Sequence, residues 1–341
     1  MAAKKKQKWG LLLSGENLSM DEIVHYSKMA DQAGAESLWS TELWRDGIVM
    51  LAAMAAAAPT LRVGTGVVHF ARPPLNLDLT AMSMAEYTHG KFILGIGTAP
   101  KFVNEDWYGI SYEKPIRRMR ELIECLRVMW TSSPTKSVSY EGEVFQVKNY
   151  RRFIPPPYES IPIYLAAVLP PMLQLAGSHA DGVIINTLNT PRYFKDVVHP
   201  NLKKGAARAG RSLDSNYEIC AIKPCAVNKD RKQARELGKH VIAFYATLPY
   251  FDAVLDPAGF YEPKMKIREA MQRNDIRGML DNVTEDMVDT LVLAGTADDV
   301  RRQLKEFDGL FETTLLFTPF FFVDPAETKA NHAAMIEAFA D

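Results

Sequence analysis

Eight short, continuously apolar runs separated by helical patterns constrain this chain more than any other feature. The runs are KWGLLLS, ESLWSTE, RVGTGVVHF, KFILGIGT, IPIYLAAV, DGVIIN, YEICAIKPCAV and TTLLFTPF. Apolar residues in succession, rather than in alternation, are what strands covered on both faces require. Such strands alternating with helices predict a parallel sheet with helices packed against it. The count of eight predicts an α/β fold, a (β/α)8 TIM barrel with insertion segments. A doubly wound open sheet is the alternative, but no G-x-G-x-x-G follows the first strand.

The helical stretches carry their own signals. Ser19 with Glu22 three residues on is a capping box, followed by the apolar stripe Ile23, Tyr26, Met29 and Ala30 and a stop at Gly34. Met119, Leu122, Ile123, Leu126 and Met129 fit a 3.6-residue period over a long helix, roughly 113–130. The chain is read as one barrel domain, 1–341, with two spacers too long for simple connections, about 131–160 and about 246–294. The first contains VSYEGEVFQV, a hairpin pattern turning at Glu141 and Gly142. The second is rich in aromatic and charged residues and reads as a lid or substrate wall. Its aromatics (Tyr250, Phe251, Phe260, Tyr261), with Tyr245 just before it and segment 107–112, predict an apolar substrate.

Segment 62–100 holds the densest functional signal. Its two strands carry Gly64, Gly66, Gly95 and Gly97, where backbone could approach a flat ligand. In α/β folds, ligands sit at the carboxyl ends of parallel strands.

Several function classes are excluded. A net charge of −1 gives no electrostatic footprint for nucleic acid or an anionic membrane. The one basic cluster, Lys4, Lys5, Lys6 and Lys8, reads as a solvated tail. No signal peptide and no apolar run of about 18 residues is seen, and the expectation is a cytoplasmic protein. Cys125, Cys220 and Cys225 read as reduced, buried thiols. His25, His179, His199 and His332 lack ligand spacing, so no metal site is expected.

The motifs ADQAGAESLWSTE, RVGTGVV, GKFILGIGT and IPIYLAAV, the last followed by AGSHADGVIIN, in this order and spacing resemble the bacterial luciferase-like superfamily. Within it the chain is most similar to the branch that uses the deazaflavin coenzyme F420, of the methylenetetrahydromethanopterin reductase type. The resemblance implies a (β/α)8 barrel that binds a flat tricyclic cofactor at the strand ends. It implies a non-proline cis bond, Gly66–Val67, in a bulge behind the cofactor ring. By position it assigns Glu42, His69, Thr98 and Ala99 to the ring region. It gives the cofactor phosphate to backbone donors at Val168, Leu169 and Met172, where Pro170 and Pro171 contribute no N–H. Asn186 would face the same pocket.

The departures from the resemblance limit the chemistry. Leu43 stands where the sugar-phosphate dehydrogenases of the family carry a histidine, Pro100 where they carry a glutamate, and Asn189 where they carry a lysine. A sugar-phosphate substrate is therefore rejected, and Glu42 and His69 remain as the catalytic candidates, with Trp44, Arg45 and Asp46 nearby. The expected function is hydride transfer between coenzyme F420 and a small, apolar organic substrate. Alternatives are an FMN-dependent monooxygenase fed by a separate reductase, and a barrel that binds a ligand without catalysis. A homodimer or higher oligomer is implied by family analogy.

Overall fold

The computed structural model describes residues 8–340, apart from Glu16, Pro156, Glu159, Asp214 and Ser215. Lys4, Lys5 and Lys6 of the expected tail lie outside the described residues. Lys8 opens the first strand and pairs with Glu36 at 2.8 Å.

The strands are β1 (Lys8–Leu13), β2 (Ser37–Ser40), β3 (Arg62–Thr65), β4 (Val68–His69), β5 (Phe92–Gly97), β6 (Val138–Glu141), β7 (Gln146–Tyr150), β8 (Ile163–Ala167), β9 (Gly182–Ile185), β10 (Glu218–Val227), β11 (Leu293–Gly295) and β12 (Thr313–Phe317). Their order is β11-β10-β12-β1-β2-β3-β5-β8-β9, with β4 on β5 and a further β10–β9 pairing. This is the closed, eight-stranded parallel barrel of a (β/α)8 fold. The run RVGTGVVHF supplies both β3 and β4, divided by a cis Gly66–Val67 bond.

The chain divides into two compact units. One comprises 1–38, 185–200 and 219–341; the other comprises 39–184 and 201–218. In the first, β12 lies between β1 and β10, with Leu315 in register with Gly10 on one side and Ile222 on the other. All ten residues of β10 are buried, as its unbroken apolar run requires. The short β11 extends this group by pairing with Cys225–Val227 of β10. The sequence pattern gave no sign of it, since three residues establish no period.

In the second unit, β5 is flanked by β3 and β4 on one side and by β8 on the other. Gly95 is where the strands come closest: a Cβ there would lie 1.8 Å from the Thr65 carbonyl oxygen. The Thr65 hydroxyl binds across this contact, donating to Gly95 O at 2.7 Å and accepting from Gly95 N at 2.9 Å. Helix Pro115–Trp130 buries Met119, Leu122, Ile123, Leu126 and Met129, the residues its period marks. Ser19 and Glu22 form both halves of the capping box on helix Met20–Gln32, in the first unit.

The first insertion forms the two-stranded β6–β7 hairpin. Its turn occupies 142–145 rather than Glu141 and Gly142, because Glu121 pins it. The buried Glu121 carboxylate accepts from the N–H groups of Glu143, Val144 and Phe145 at 3.2, 2.8 and 3.2 Å. The second insertion is helical, with helices Asp252–Leu255, Tyr261–Gln272, Ile276–Asp281 and Glu285–Leu291. Two of its expected pocket aromatics, Phe251 and Phe260, are buried, whereas Tyr261 is exposed. All three cysteines are free and buried, and burial pushes the Cys125 thiol up to about 11. No helix among the described residues is long and apolar enough to cross a membrane.

Candidate functional site

Most of the expected site residues fall at the carboxyl ends of β2, β4, β5 and β8, within the second unit. Glu42 follows β2 and is buried. Asp46, four residues on, caps helix Gly47–Ala57 by accepting from Ile48 N at 2.9 Å and Val49 N at 3.1 Å. That helix starts tightly against the strand end, since a Cβ on Gly47 would meet Thr41 O at 3.0 Å and Glu42 Cβ at 3.3 Å. The two carboxylates are thereby held on one side of the strand mouth.

Arg72, from the loop after β4, binds both. Its Nε donates to Glu42 Oε1 and Oε2 at 2.9 and 3.1 Å, and its Nη2 to Asp46 Oδ2 at 2.7 Å. Burial opposes the charge on Arg72, but the hydrogen bonds to Glu42 and Asp46 outweigh it and hold its pKa above the ordinary value. Burial likewise raises Asp46, yet the Arg72 hydrogen bond and the two helix N–H groups bring it below the usual carboxylate range. Burial first, then the Glu42 charge, raises the pKa of Tyr108.

His69 ends β4, in register with Gly97 of β5, and is 5% exposed. Its Nδ1 is buried with no hydrogen-bond partner among the described residues. Burial, and then the Arg72 charge, push its pKa down to about 4, so the imidazole is neutral at pH 7. The Tyr108 ring meets it edge-on with centroids 6.2 Å apart. Beside it the packing is close: a Cβ on Gly97 would lie 2.5 Å from Val67 Cγ2.

Beyond β5 the chain turns through Ala99, at φ 55°, into the π-helical turn Val103–Trp107. Asn104 is fully buried there and donates from Nδ2 to the carbonyls of Thr98 and Pro100 at 2.8 and 2.9 Å. Its Oδ1 has no partner among the described residues. π-Helical turns of this kind recur at functional sites. Phe102 and Trp107 form an exposed edge-to-face pair, 5.4 Å between centroids. Glu105 and Asp106 are exposed, as a solvated loop would be.

Val168 and Leu169 lie between β8 and helix Pro170–His179, whose first two residues are prolines. The Met172 N–H, expected as an anion donor, is engaged by its own helix and donates to Leu169 O at 3.0 Å. Prolines at the first helical positions make Met172 the first residue with an N–H to give, and the opening turn takes it.

Asn186 belongs to the first unit, at the end of β9. Its Oδ1 accepts from the Thr187 N–H at 2.7 Å and from the Thr187 hydroxyl at 2.6 Å, and its carbonyl accepts from Asn189 Nδ2 at 2.8 Å. Asn189 in turn receives Lys223 Nζ on its carbonyl at 3.2 Å. The Lys223 side chain thus reaches Asn189 from β10. Lys223 is 1% exposed and lies 4.0 Å over the Phe307 ring, and burial lowers its pKa to about 7. Arg72, Asn104 and Lys223 are the residues that sequence reasoning missed. A lysine inside an apolar strand run was the one signal available for any of them.

Residues 6–313 match the family model described as luciferase-like monooxygenase. The chain is 35% identical over 298 residues to the 5,10-methylenetetrahydromethanopterin reductase of Archaeoglobus fulgidus, covering 84% of this chain and 85% of that protein. It is 30% identical over 295 residues to the protein of the same name from Methanolobus tindarius, covering 84% and 86%. Among solved structures it superposes on the coenzyme F420-dependent tetrahydromethanopterin reductase of Methanopyrus kandleri. The TM-score is 0.82 at 25% identity, over 98% of this chain and 99% of that one.

Proposed function

The chain belongs to the luciferase-like monooxygenase family, and from that premise we propose that it is an oxidoreductase transferring a hydride between coenzyme F420 and a small, apolar organic substrate. The observation that carries this reading is the orphaned Nδ1 of the buried, neutral His69 beside the Gly97 floor. A buried polar atom without a partner inside the protein calls for one from outside. Gly97 and Val67 would hold a flat heterocycle that could provide it. The likeness to the coenzyme F420-dependent tetrahydromethanopterin reductase of Methanopyrus kandleri supports the choice of coenzyme.

Gly66, Val67, His69, Thr98 and Ala99 would hold the ring, with the phosphate toward Val168 and Leu169 and with Asn186 as a further contact. When bound, the deazaflavin supplies hydride chemistry at one ring carbon. The chain's part is to orient and exclude water. The Glu42–Arg72–Asp46 network fixes the mouth of the second unit, and the Tyr108 ring stands edge-on to His69. His69, neutral at pH 7, offers one ring N–H and one lone pair for a proton on the substrate side. The exposed Phe102 and Trp107 rings, on the segment after β5, offer an apolar surface.

Titrating the purified protein with coenzyme F420 and with FMN, followed by fluorescence, tests the reading. The expected result is micromolar binding of coenzyme F420, weakened at least tenfold by His69→Ala, and no FMN binding. FMN binding alone would instead favour the monooxygenase chemistry, and binding of neither would overturn the oxidoreductase reading.

A further inference from the structure

A cavity of about 610 Å³ lies within the first unit, between the segment after Asn189 and the second insertion. One wall comes from the helical segment after β9, through Tyr193 and Val197. The other comes from the second insertion, through Ala253, Val254, Pro257 and Ala258. Its volume falls in the range of small-molecule sites, and its side chains are mainly apolar.

The two charges at the cavity cancel each other. Arg192 Nε donates to Asp196 Oδ2 at 3.2 Å, and Arg192 Nη1 donates to the Pro257 carbonyl at 3.0 Å. The arginine therefore ties one wall to the other, and its charge is already met by Asp196. A charged ligand would find no unpaired counter-charge, whereas an apolar one would find the surface it needs. The remaining polar side chains on the lining are Thr190, Thr290 and Tyr193.

The insertion wall is also built in advance. Lys264, 1% exposed, donates to Asp252 Oδ1 at 3.0 Å and to Asp256 Oδ1 at 2.5 Å. Arg268 holds the same Asp252 at 2.5 Å and donates from Nε to the Ala246 carbonyl at 3.0 Å. These bonds fix helix Asp252–Leu255 at its start and just past its end. A wall fixed before binding spares the ligand the cost of ordering it.

We propose that this cavity is a binding site for a neutral, largely apolar small molecule, seated between Tyr193 and Val197 on one wall and Val254 and Ala258 on the other. This ligand class agrees with the apolar substrate of the proposed oxidoreductase, but the site itself does not rest on that reading.

A matched pair of probes tests it without any coenzyme. N-phenyl-1-naphthylamine is neutral, and 8-anilinonaphthalene-1-sulfonate carries the same rings with a negative charge. The neutral probe is expected to bind saturably, one per chain, at least tenfold tighter than the sulfonate. Ala258→Trp, in a half-exposed turn, fills the cavity and is expected to weaken the neutral probe at least tenfold with the unfolding temperature unchanged. Val254→Trp provides a second filling from a buried position. No saturable binding, equal affinity for both probes, or unchanged affinity in Ala258→Trp would each overturn the proposal. Because the probes need no coenzyme, failure here is separable from failure of the coenzyme titration.

Discussion

Arg72 Nε donates to both carboxylate oxygens of Glu42, at 2.9 and 3.1 Å, joining the loop after β4 to the end of β2. Both side chains are largely removed from water, 16% exposed for Arg72 and 6% for Glu42. Replacing Arg72 by Met strands a carboxylate in a buried setting. The expected cost is about 3 kcal/mol, read as a lowered urea midpoint at constant slope. Arg72→Lys should recover only part of it, because one ammonium cannot fork across Glu42 while reaching Asp46. A loss below about 0.5 kcal/mol in Arg72→Met, the size typical of an exposed pair, would show that the pair is decorative.

The two β5 glycines are expected to separate stability from binding. In Gly95→Ala the new methyl meets backbone, 1.8 Å from Thr65 O, and no rotamer relieves it. A loss of about 3 kcal/mol is expected. In Gly97→Ala the methyl meets side chains rather than backbone, Val67 Cγ2 at 2.5 Å and Ala166 Cβ at 3.4 Å. The fold should survive with a loss of about 1 kcal/mol, while the coenzyme dissociation constant rises about tenfold. Unchanged coenzyme affinity in Gly97→Ala would remove that glycine from the floor of the site.

Acid should destabilise the protein well above the carboxylate range. Burial lowers His69 and His332 to about 4, from 6.5. Between those values the unfolded chain binds protons that the folded chain does not, so stability is full above pH 6.5 and falls as pH drops toward 4. Each histidine contributes on the order of 3 kcal/mol across that window. Chemical denaturation at stepped pH should show this fall. His69→Gln should reduce the slope between pH 6.5 and 4 relative to the wild type, and an unaltered slope would contradict the assignment.

Glu121 is expected to control the hairpin of the first insertion. Its carboxylate collects three backbone N–H groups at 142–145, and the residue is 3% exposed. Glu121→Ala should cost about 2 kcal/mol and open the turn to limited proteolysis near Gly142. A cleavage pattern identical to the wild type would show that the turn stands without it.

The sequence alone determined the barrel, because burial on both faces writes itself into each strand as an uninterrupted apolar run. β10, buried along its whole length, is the clearest example. The ends of helices Met20–Gln32 and Pro115–Trp130 were legible for a similar reason: capping and periodicity are local. The position of the Gly66–Val67 cis bond came from family resemblance rather than from propensity. The partners of Glu42 were not legible. Arg72 lies thirty residues away, and no local rule links a loop arginine after one strand to a carboxylate after another. The engagement of Met172, the pinning of the hairpin by Glu121 and the lysine delivered to Asn189 from β10 are of the same kind. Sequence patterns record whether a residue is buried and how its own segment folds. Which polar groups meet depends on how separate strand ends converge, and only the tertiary structure decides that.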